Sequence, residues 1–205
     1  MTVESRATHE LSHREIEILR ATYRTMARSG SHRMSLREIA DDAGVSKTLL
    51  LYHFGSKDNL LMAVMKWALE RTEVRIRQGV EGASNASAQM AALVDAVFIS
   101  PEANRDFYLF YLDLVEHAVR DPRFESLSAM LDGIINGLYA EIVTAGVEEG
   151  VFDVDDPVGA ARDMRAIIEG TFLQWMQTDD WRVSHQEWKE NCREALLRVL
   201  GARVV

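Results

Sequence analysis

The chain has 205 residues, 47% of them hydrophobic and 27% charged, so it can bury a core and has the composition of a globular protein. Its single cysteine, Cys192, excludes an internal disulfide and a cysteine-rich metal site. No segment approaches the roughly 18 uninterrupted apolar residues of a membrane span, and the N-terminus lacks the apolar core of a signal peptide. We therefore expect a cytoplasmic protein.

The net charge of −9 is unevenly distributed along the chain. Residues 1–58 hold 9 Lys and Arg against 8 Asp and Glu, whereas residues 59–205 hold 14 against 24. The first segment therefore carries +1 and the second −10. A more basic N-terminal module on an acidic body can still meet a phosphate backbone, because surface fields are screened beyond about 8–10 Å. Charge permits nucleic-acid binding without establishing it.

Helix-start signals recur along the chain, whereas strand signals are nearly absent. Pro101, Pro122 and Pro157 each follow a Ser or Asp that can cap a helix, and Ser46 and Ser56 are simple caps. Capping boxes are predicted at Ser12/Glu15, Ser35/Glu38 and Ser184/Glu187. These patterns predict an all-α protein of about nine helices. The predicted helices span 13–29, 36–43, 47–53, 57–79, 86–99, 101–119, 122–149, 157–178 and 185–201.

The segment from Ser35 to Leu61 predicts a helix-turn-helix, because two short helical patterns flank a turn that contains Gly44. In DNA-binding units of this kind the second helix enters the major groove. Ser46 would cap that helix, whose free backbone N–H groups can meet a phosphate. The predicted base contacts are Lys47 and Thr48, and the predicted phosphate contacts are Tyr52, His53 and Lys57. The same pattern occurs in purely structural three-helix units, and a histidine such as His53 is more often a packing or capping residue.

Residues 18–61 resemble the DNA-binding domain of the TetR family of bacterial transcriptional regulators. The resemblance rests on ILRATYRTMARSG at 18–30, LREIADDAGVSKTLLLYHF at 36–54 and SKDNLL at 56–61. It implies a helix-turn-helix DNA-binding domain over 1–57 and a helical ligand-binding and dimerisation domain over 58–205. The later stretch FYLDLV…RDPRF…GVEEGVFDVDDPVGAARDMRAIIEG is similar to the ligand-binding part of a betaine-regulator-like subgroup.

The predicted recognition helix departs from the family pattern at Thr48, Leu49 and Leu51. Family members usually carry Gly or Pro, a polar residue and Tyr at these positions, so Leu51 does not inherit the phosphate contact of that Tyr. Either leucine could touch a thymine methyl group or pack against a neighbouring helix. The operator sequence is therefore not carried over. The alternative function is a helical small-molecule-binding protein that has lost specific operator recognition.

The second half of the chain is rich in aromatic and methionine side chains, which more often form a core than a pocket. The family resemblance implies that some of them line an effector site, mostly apolar with few polar anchors. Nearby acids would favour a cationic or amphipathic effector through cation–π contacts. The predicted ligand-binding residues are Trp67, Phe107, Tyr108, Tyr111, Glu116, His117, Met130, Phe172 and Trp175. Asp113 and Glu169 are further candidate anchors.

The resemblance also implies a homodimer through 157–178 and 185–201, which would bring two recognition helices to half-sites about 34 Å apart. It implies a regulator, most often a repressor, that a small effector releases from its DNA operator. The sequence offers no catalytic constellation, metal motif or phosphate-binding glycine loop. A di-iron bundle needs two Glu-x-x-His pairs, and Glu10 with His13 supplies one. We therefore expect no enzymatic activity, no cofactor and no metal.

Overall fold

The computed structural model describes residues 11–202 and divides the chain into two compact units, Met1–Trp67 and Ala68–Val205. Residues 1–10, on which the expected absence of a signal peptide rests, lie outside the described residues. Every regular element within 11–202 is helical, which confirms the all-α prediction. Within the same residues no helix is both long and apolar enough to cross a bilayer.

The first unit is built from three helices and the beginning of a fourth. These are α1 His13–Ser29, α2 Leu36–Asp42, α3 Lys47–Phe54 and α4 Lys57–Val80. The capping box at the start of α1 forms as predicted, because Ser12 and Glu15 each accept the other's backbone N–H. The core of this unit includes the large, fully buried side chains of Ile18, Leu19, Met26, Ile39, Leu50, Leu60 and Met65.

The division between the two units falls inside α4, between residues 67 and 68, whereas the sequence prediction ended the first domain at residue 57. The start of α4 is tied to the first unit by Lys57. Its ammonium group donates to the backbone carbonyls of Ser31 and Met34, both at 2.8 Å. The first turns of α4 therefore belong to the first unit.

The second unit contains the rest of α4 and six further helices. These are α5 Ala86–Val97, α6 Pro101–Arg120, α7 Glu125–Leu131, α8 Gly137–Glu148, α9 Pro157–Trp175 and α10 Trp181–Val199. The most extensive packing joins α9 to α10 and α8 to α9. Phe110, Phe172 and Trp175 are fully buried. The Phe172 ring lies between those of Phe98 and Tyr108, with centroids at 4.3 and 4.2 Å, so aromatic stacking fills the centre of this unit.

The predicted helix 122–149 changes its winding at two places. Pro122–Phe124 forms one turn of 3-10 helix, and Asp132–Asn136 forms a π-helical turn that connects α7 to α8 without a break. Gly133 lies in this turn and Gly137 follows it, and glycine weakens the preference for regular α-helix. Counted with α7 and α8 as one helix, the described residues form nine α-helices, as predicted. Side-chain periodicity cannot reveal one widened turn.

The predicted start of α10 at a Ser184/Glu187 capping box is wrong. The helix begins at Trp181, and the Ser184 hydroxyl, buried within the helix, donates to the backbone carbonyl of Asp180 at 3.2 Å. The indole N–H of Trp175 donates to the carbonyl of Trp181 at 2.7 Å. This bond fixes the chain in a tight turn after α9, so the helix begins before the serine.

Gly146→Ala is expected to lower the free energy of unfolding by about 1–3 kcal/mol, because a methyl group there would overlap the Phe152 ring. Gly137→Ala is the matched control in the same helix, where a methyl group would meet nothing within 4 Å. This change should raise stability by about 0.5–1 kcal/mol through higher helix propensity. Urea unfolding followed by circular dichroism measures both. Equal stability of Gly146→Ala and the parent would contradict the close approach.

Candidate nucleic-acid interface and cavity

The turn at 43–46 sets the angle between α2 and α3. Gly44 has a φ of +64°, a conformation that residues with a side chain rarely adopt. The Val45 N–H donates to the Ala40 carbonyl at 2.9 Å, which closes the turn onto α2. Ser46 accepts from the backbone N–H of Leu49 at 3.1 Å and caps α3 as predicted. Backbone hydrogen bonds and one glycine therefore fix where α3 starts.

The two faces of α3 differ sharply in exposure. Leu50 is fully buried and anchors the helix, whereas Lys47 and Thr48 are exposed and Tyr52 is 82% exposed. Leu49 and Leu51 are half-buried, so each keeps part of its surface toward the solvent. Together with the cap at Ser46, the exposed residues form a continuous presenting face at the start and middle of α3. This face is of the kind that reads a DNA groove.

His53 has a partner within the first unit. Its Nδ1 lies 3.6 Å from Glu15 Oε1, and the two side chains are 19% and 12% exposed. Glu15 also accepts from the Ser12 backbone N–H at 2.8 Å, so it connects the start of α1 with the end of α3. This arrangement gives His53 a packing role, and its phosphate contact remains a prediction.

Lys57 also has a structural role, through the two carbonyl bonds that tie α4 to the residues after α1. A phosphate contact by the same ammonium group would have to share or break these bonds. Its phosphate role therefore also remains a prediction. Of the predicted DNA-contacting cations, Lys47 is exposed.

Two arginines of α1 pair with acids of α2. Arg24 lies 2.9 Å from Asp42, and Arg28 lies 3.1 Å from Glu38. All four side chains are partly or largely exposed, so each pair adds little stability and mainly orients α2 on α1. The basic character of the N-terminal segment is thus partly balanced within the fold, which its composition alone could not indicate.

The second unit contains a cavity of about 40 Å³. It lies between α6, α7, the π turn, the start of α8 and α9. Its lining residues are Phe107, Tyr108, Tyr111, Leu131, Ile135, Tyr139, Arg165, Ile168 and Glu169. At roughly 10–15 Å³ for each water molecule, it has room for about three. Three of the predicted ligand-binding residues, Phe107, Tyr108 and Tyr111, line it. A larger open groove of about 510 Å³, between α5 and α10, is lined by none of the predicted residues.

A polar network forms one wall of this cavity. The Tyr111 hydroxyl donates to Glu169 Oε1 at 2.8 Å, and Arg165 Nε donates to the same oxygen at 2.6 Å. Arg165 also donates to the Tyr111 oxygen at 3.2 Å and pairs with Asp132 in the π turn. Burial raises the pKa of Tyr111 to about 12, so its hydroxyl stays a donor at neutral pH. Burial lowers the pKa of Arg165, but its bonds to Glu169 and Tyr111 outweigh this and raise it overall, so the guanidinium stays charged.

Other predicted ligand-binding residues lie elsewhere. Phe172 and Trp175 are fully buried in the core, with Phe172 stacked behind Tyr108. Trp67 is the last residue of the first unit, and Met130 is half-buried on α7 without lining the cavity. Aromatic and Met residues at helical spacing occur both in cores and in cavity walls. The sequence therefore could not distinguish core residues from cavity-lining residues.

The two polar candidates near the end of α6 point to other neighbours. Glu116 lies 3.2 Å from Arg120, one turn further along the helix. The His117 ring stacks on Phe124 with centroids 4.9 Å apart. Arg165 was not predicted from the sequence, although its position four residues before Glu169 on α9 is a recognisable ion-pair spacing.

A helix-turn-helix that presents a lysine and a threonine, together with a separate helical unit that contains a cavity, defines a DNA-binding regulator of transcription. The family model described as "Bacterial regulatory proteins, tetR family" matches residues 18–64. A second, described as "BetI-type transcriptional repressor, C-terminal", matches residues 86–201. The chain belongs to the TetR family of bacterial transcriptional regulators, which confirms the resemblance found in the sequence.

Known relatives agree with this assignment. The chain is 29% identical over 150 residues to the HTH-type transcriptional repressor KstR2 of Rhodococcus jostii, which covers 73% of each chain. It is similar to a TetR transcription regulator from Haloarcula marismortui, with a TM-score of 0.79, 26% identity and coverage of 93% and 98%. It also shares its fold with a transcriptional regulator from Saccharomonospora viridis in complex with choline, with a TM-score of 0.81, 21% identity and coverage of 90% and 95%.

Lys57→Met is expected to lower the free energy of unfolding by about 1–3 kcal/mol, because two carbonyls lose a charged donor. Lys47→Met, the same change at an exposed site of the same unit, should alter stability by less than about 0.5 kcal/mol. It should instead weaken binding to the DNA upstream of the gene. Urea unfolding and gel shift on both variants separate the two roles. A stable Lys57→Met variant that no longer shifts DNA would make Lys57 a phosphate ligand.

Proposed function

We propose that the protein is a homodimeric cytoplasmic repressor that leaves its operator when a small organic cation binds the cavity of its second unit. The observation that carries the DNA-binding part is the presenting face of α3. Lys47 and Thr48 lie at the N-terminal end of this helix, where side chains of such helices reach base edges. Ser46 and Tyr52 flank these two residues and would contact phosphates. His53 and Lys57 are further candidates for phosphate contacts.

The cavity wall supports a cationic effector. Four aromatic rings line it, and those of Phe107 and Tyr111 are nearly parallel with centroids 6.2 Å apart. Glu169 adds a carboxylate beside them. Aromatic faces with a nearby carboxylate are the surroundings in which proteins hold quaternary ammonium groups. The choline bound by a protein of the same fold supports the same class of ligand.

Contacts within the second unit supply a route from the cavity to α4. The π turn beside the cavity continues directly into α8, where Glu141 lies 3.2 Å from Arg77 of α4. Arg75 of α4 also donates to the Ala96 carbonyl at the end of α5. We infer that a change in the π turn displaces the second half of α4 and thereby alters operator binding. The coupling must be reciprocal, so the DNA complex binds the effector less tightly.

Helices α9 and α10 offer the dimer surface. The small and apolar residues of these two helices that we expect at the interface divide into two groups. Those buried within the chain are Ala160, Ala161, Met164, Ile168, Phe172 and Leu196, and those with accessible surface are Ile167, Thr171, Trp188, Ala195 and Val199. The second group provides an apolar face on both helices that a second copy would cover. A two-fold dimer of this kind would bring two α3 helices to one operator.

Ile167→Glu is expected to convert the dimer to a monomer and to weaken operator binding, because a buried, unpaired carboxylate costs an interface roughly 2 kcal/mol or more. Val119→Glu on α6 is the matched control, since this valine is 81% exposed. Light scattering after gel filtration measures the mass, and gel shift measures the affinity. A dimeric Ile167→Glu variant would contradict the assignment of α9 to the interface.

Ile168→Phe is expected to fill the cavity and to abolish release from the operator by choline while operator binding itself is retained. The affinity for choline should fall roughly tenfold or more, since overpacking costs about 1–3 kcal/mol. Ile168→Val enlarges the cavity and should keep release. Gel shift with the upstream DNA fragment, with and without choline, compares them. Release that is identical in the parent, Ile168→Phe and Ile168→Val would exclude this cavity as the effector site.

A further inference from the structure

The guanidinium of Arg165 already occupies the polar end of the cavity. Its side chain is 17% exposed and reaches three partners on three different segments. These are Glu169 on its own helix, Tyr111 on α6 and Asp132 in the π turn. A positive charge of the protein therefore already lies where the charge of the proposed effector would lie.

The free space beside this group is small. About 40 Å³ remains, roughly a quarter of the 150 Å³ cavity known to hold a benzene molecule. A trimethylammonium group is about as bulky as benzene, so it does not fit beside the side chains as they stand. Arg165 is the lining residue with a long flexible stem and a partly exposed head, and it can therefore leave without unpacking the core.

The charge of the guanidinium also keeps a second cation out of the cavity as it stands. Glu169 accepts from both Arg165 and Tyr111 through Oε1, so the negative charge that would attract a cation is already paired with the guanidinium. A second cation beside the guanidinium would be repelled in a partly buried site, where charges interact more strongly than in water. An incoming cation must therefore replace the guanidinium on Glu169.

We propose that Arg165 is an internal cation that keeps the effector site closed, and that the effector is a compact organic ammonium ion that takes its place on Glu169 and the aromatic rings. This inference rests on the proposed function and specifies how its cavity opens. When Arg165 leaves, its bond to Asp132 breaks, and α9 loses this ion pair with the π turn. The π turn, which continues into α8, then loses its pairing with Arg165. Effector binding in the cavity is thereby connected to α8 and, through it, to α4.

The test is calorimetric titration of the full chain with tetramethylammonium chloride. Arg165→Met should bind this probe roughly tenfold more tightly than the parent, because the guanidinium no longer competes with the probe for Glu169. Asp132→Asn loosens the arginine from outside the cavity. The Asp132 side chain is 63% exposed, so this change is tolerated, and it should tighten binding by a smaller factor.

Arg162→Met is the matched control, an exposed arginine one turn earlier on α9, and it should leave the affinity unchanged. Glu169→Gln in the Arg165→Met background should remove the gain. Unchanged or weaker binding by both Arg165→Met and Asp132→Asn would overturn the inference. That result would leave the proposed function standing if choline still releases the operator and Ile168→Phe still prevents it. Butyrate bound by the parent and lost in Arg165→Met would instead make the site an anion site and overturn both.

Discussion

The recognition helix α3 has eight residues, and a helix of that length is not stable in water by itself. Its conformation depends on the burial of Leu50, the cap at Ser46 and the closing bond from Gly55 to the Leu51 carbonyl at 2.8 Å. The exposed face that carries Lys47 is therefore a property of the whole first unit. The bonds that hold α1, α2 and α4 together decide where that face points, although none of them needs to touch DNA.

The first unit could be predicted from the sequence because the residues that determine its helices and turn are close to them in the chain. A glycine with positive φ, serine caps and a buried leucine lie within a few residues of the elements they fix. What the sequence could not show is which distant partner a polar side chain chooses. Lys57 bonds to carbonyls more than 20 residues away, and His53 meets Glu15 across the unit. Both residues occur in the family motif, and the motif does not separate a structural role from a contact with phosphate.

In the second unit the helices were predictable but the site was not. Caps and periodicity located α5, α6 and α9, whereas the start of α10 was set by the bond from Trp175 to Trp181 rather than by a capping box. The cavity depends on side chains from α6, α7, α8, α9 and the π turn, which come together only in the folded chain. Arg165 shows this most clearly. In the sequence it is an ordinary helical ion-pair residue, and in the structure it joins three segments.

The π turn at Asp132–Asn136 has a further consequence for how effector specificity can evolve. A π turn accommodates one residue more than an α turn without interrupting the helix. Losing that residue would rotate the preceding helix by about 100° relative to α8. A different side of α7 would then face the cavity, while α8 and the DNA-binding unit kept their sequences. A single-residue change in length could thus exchange several lining side chains at once, a larger step than any one substitution offers.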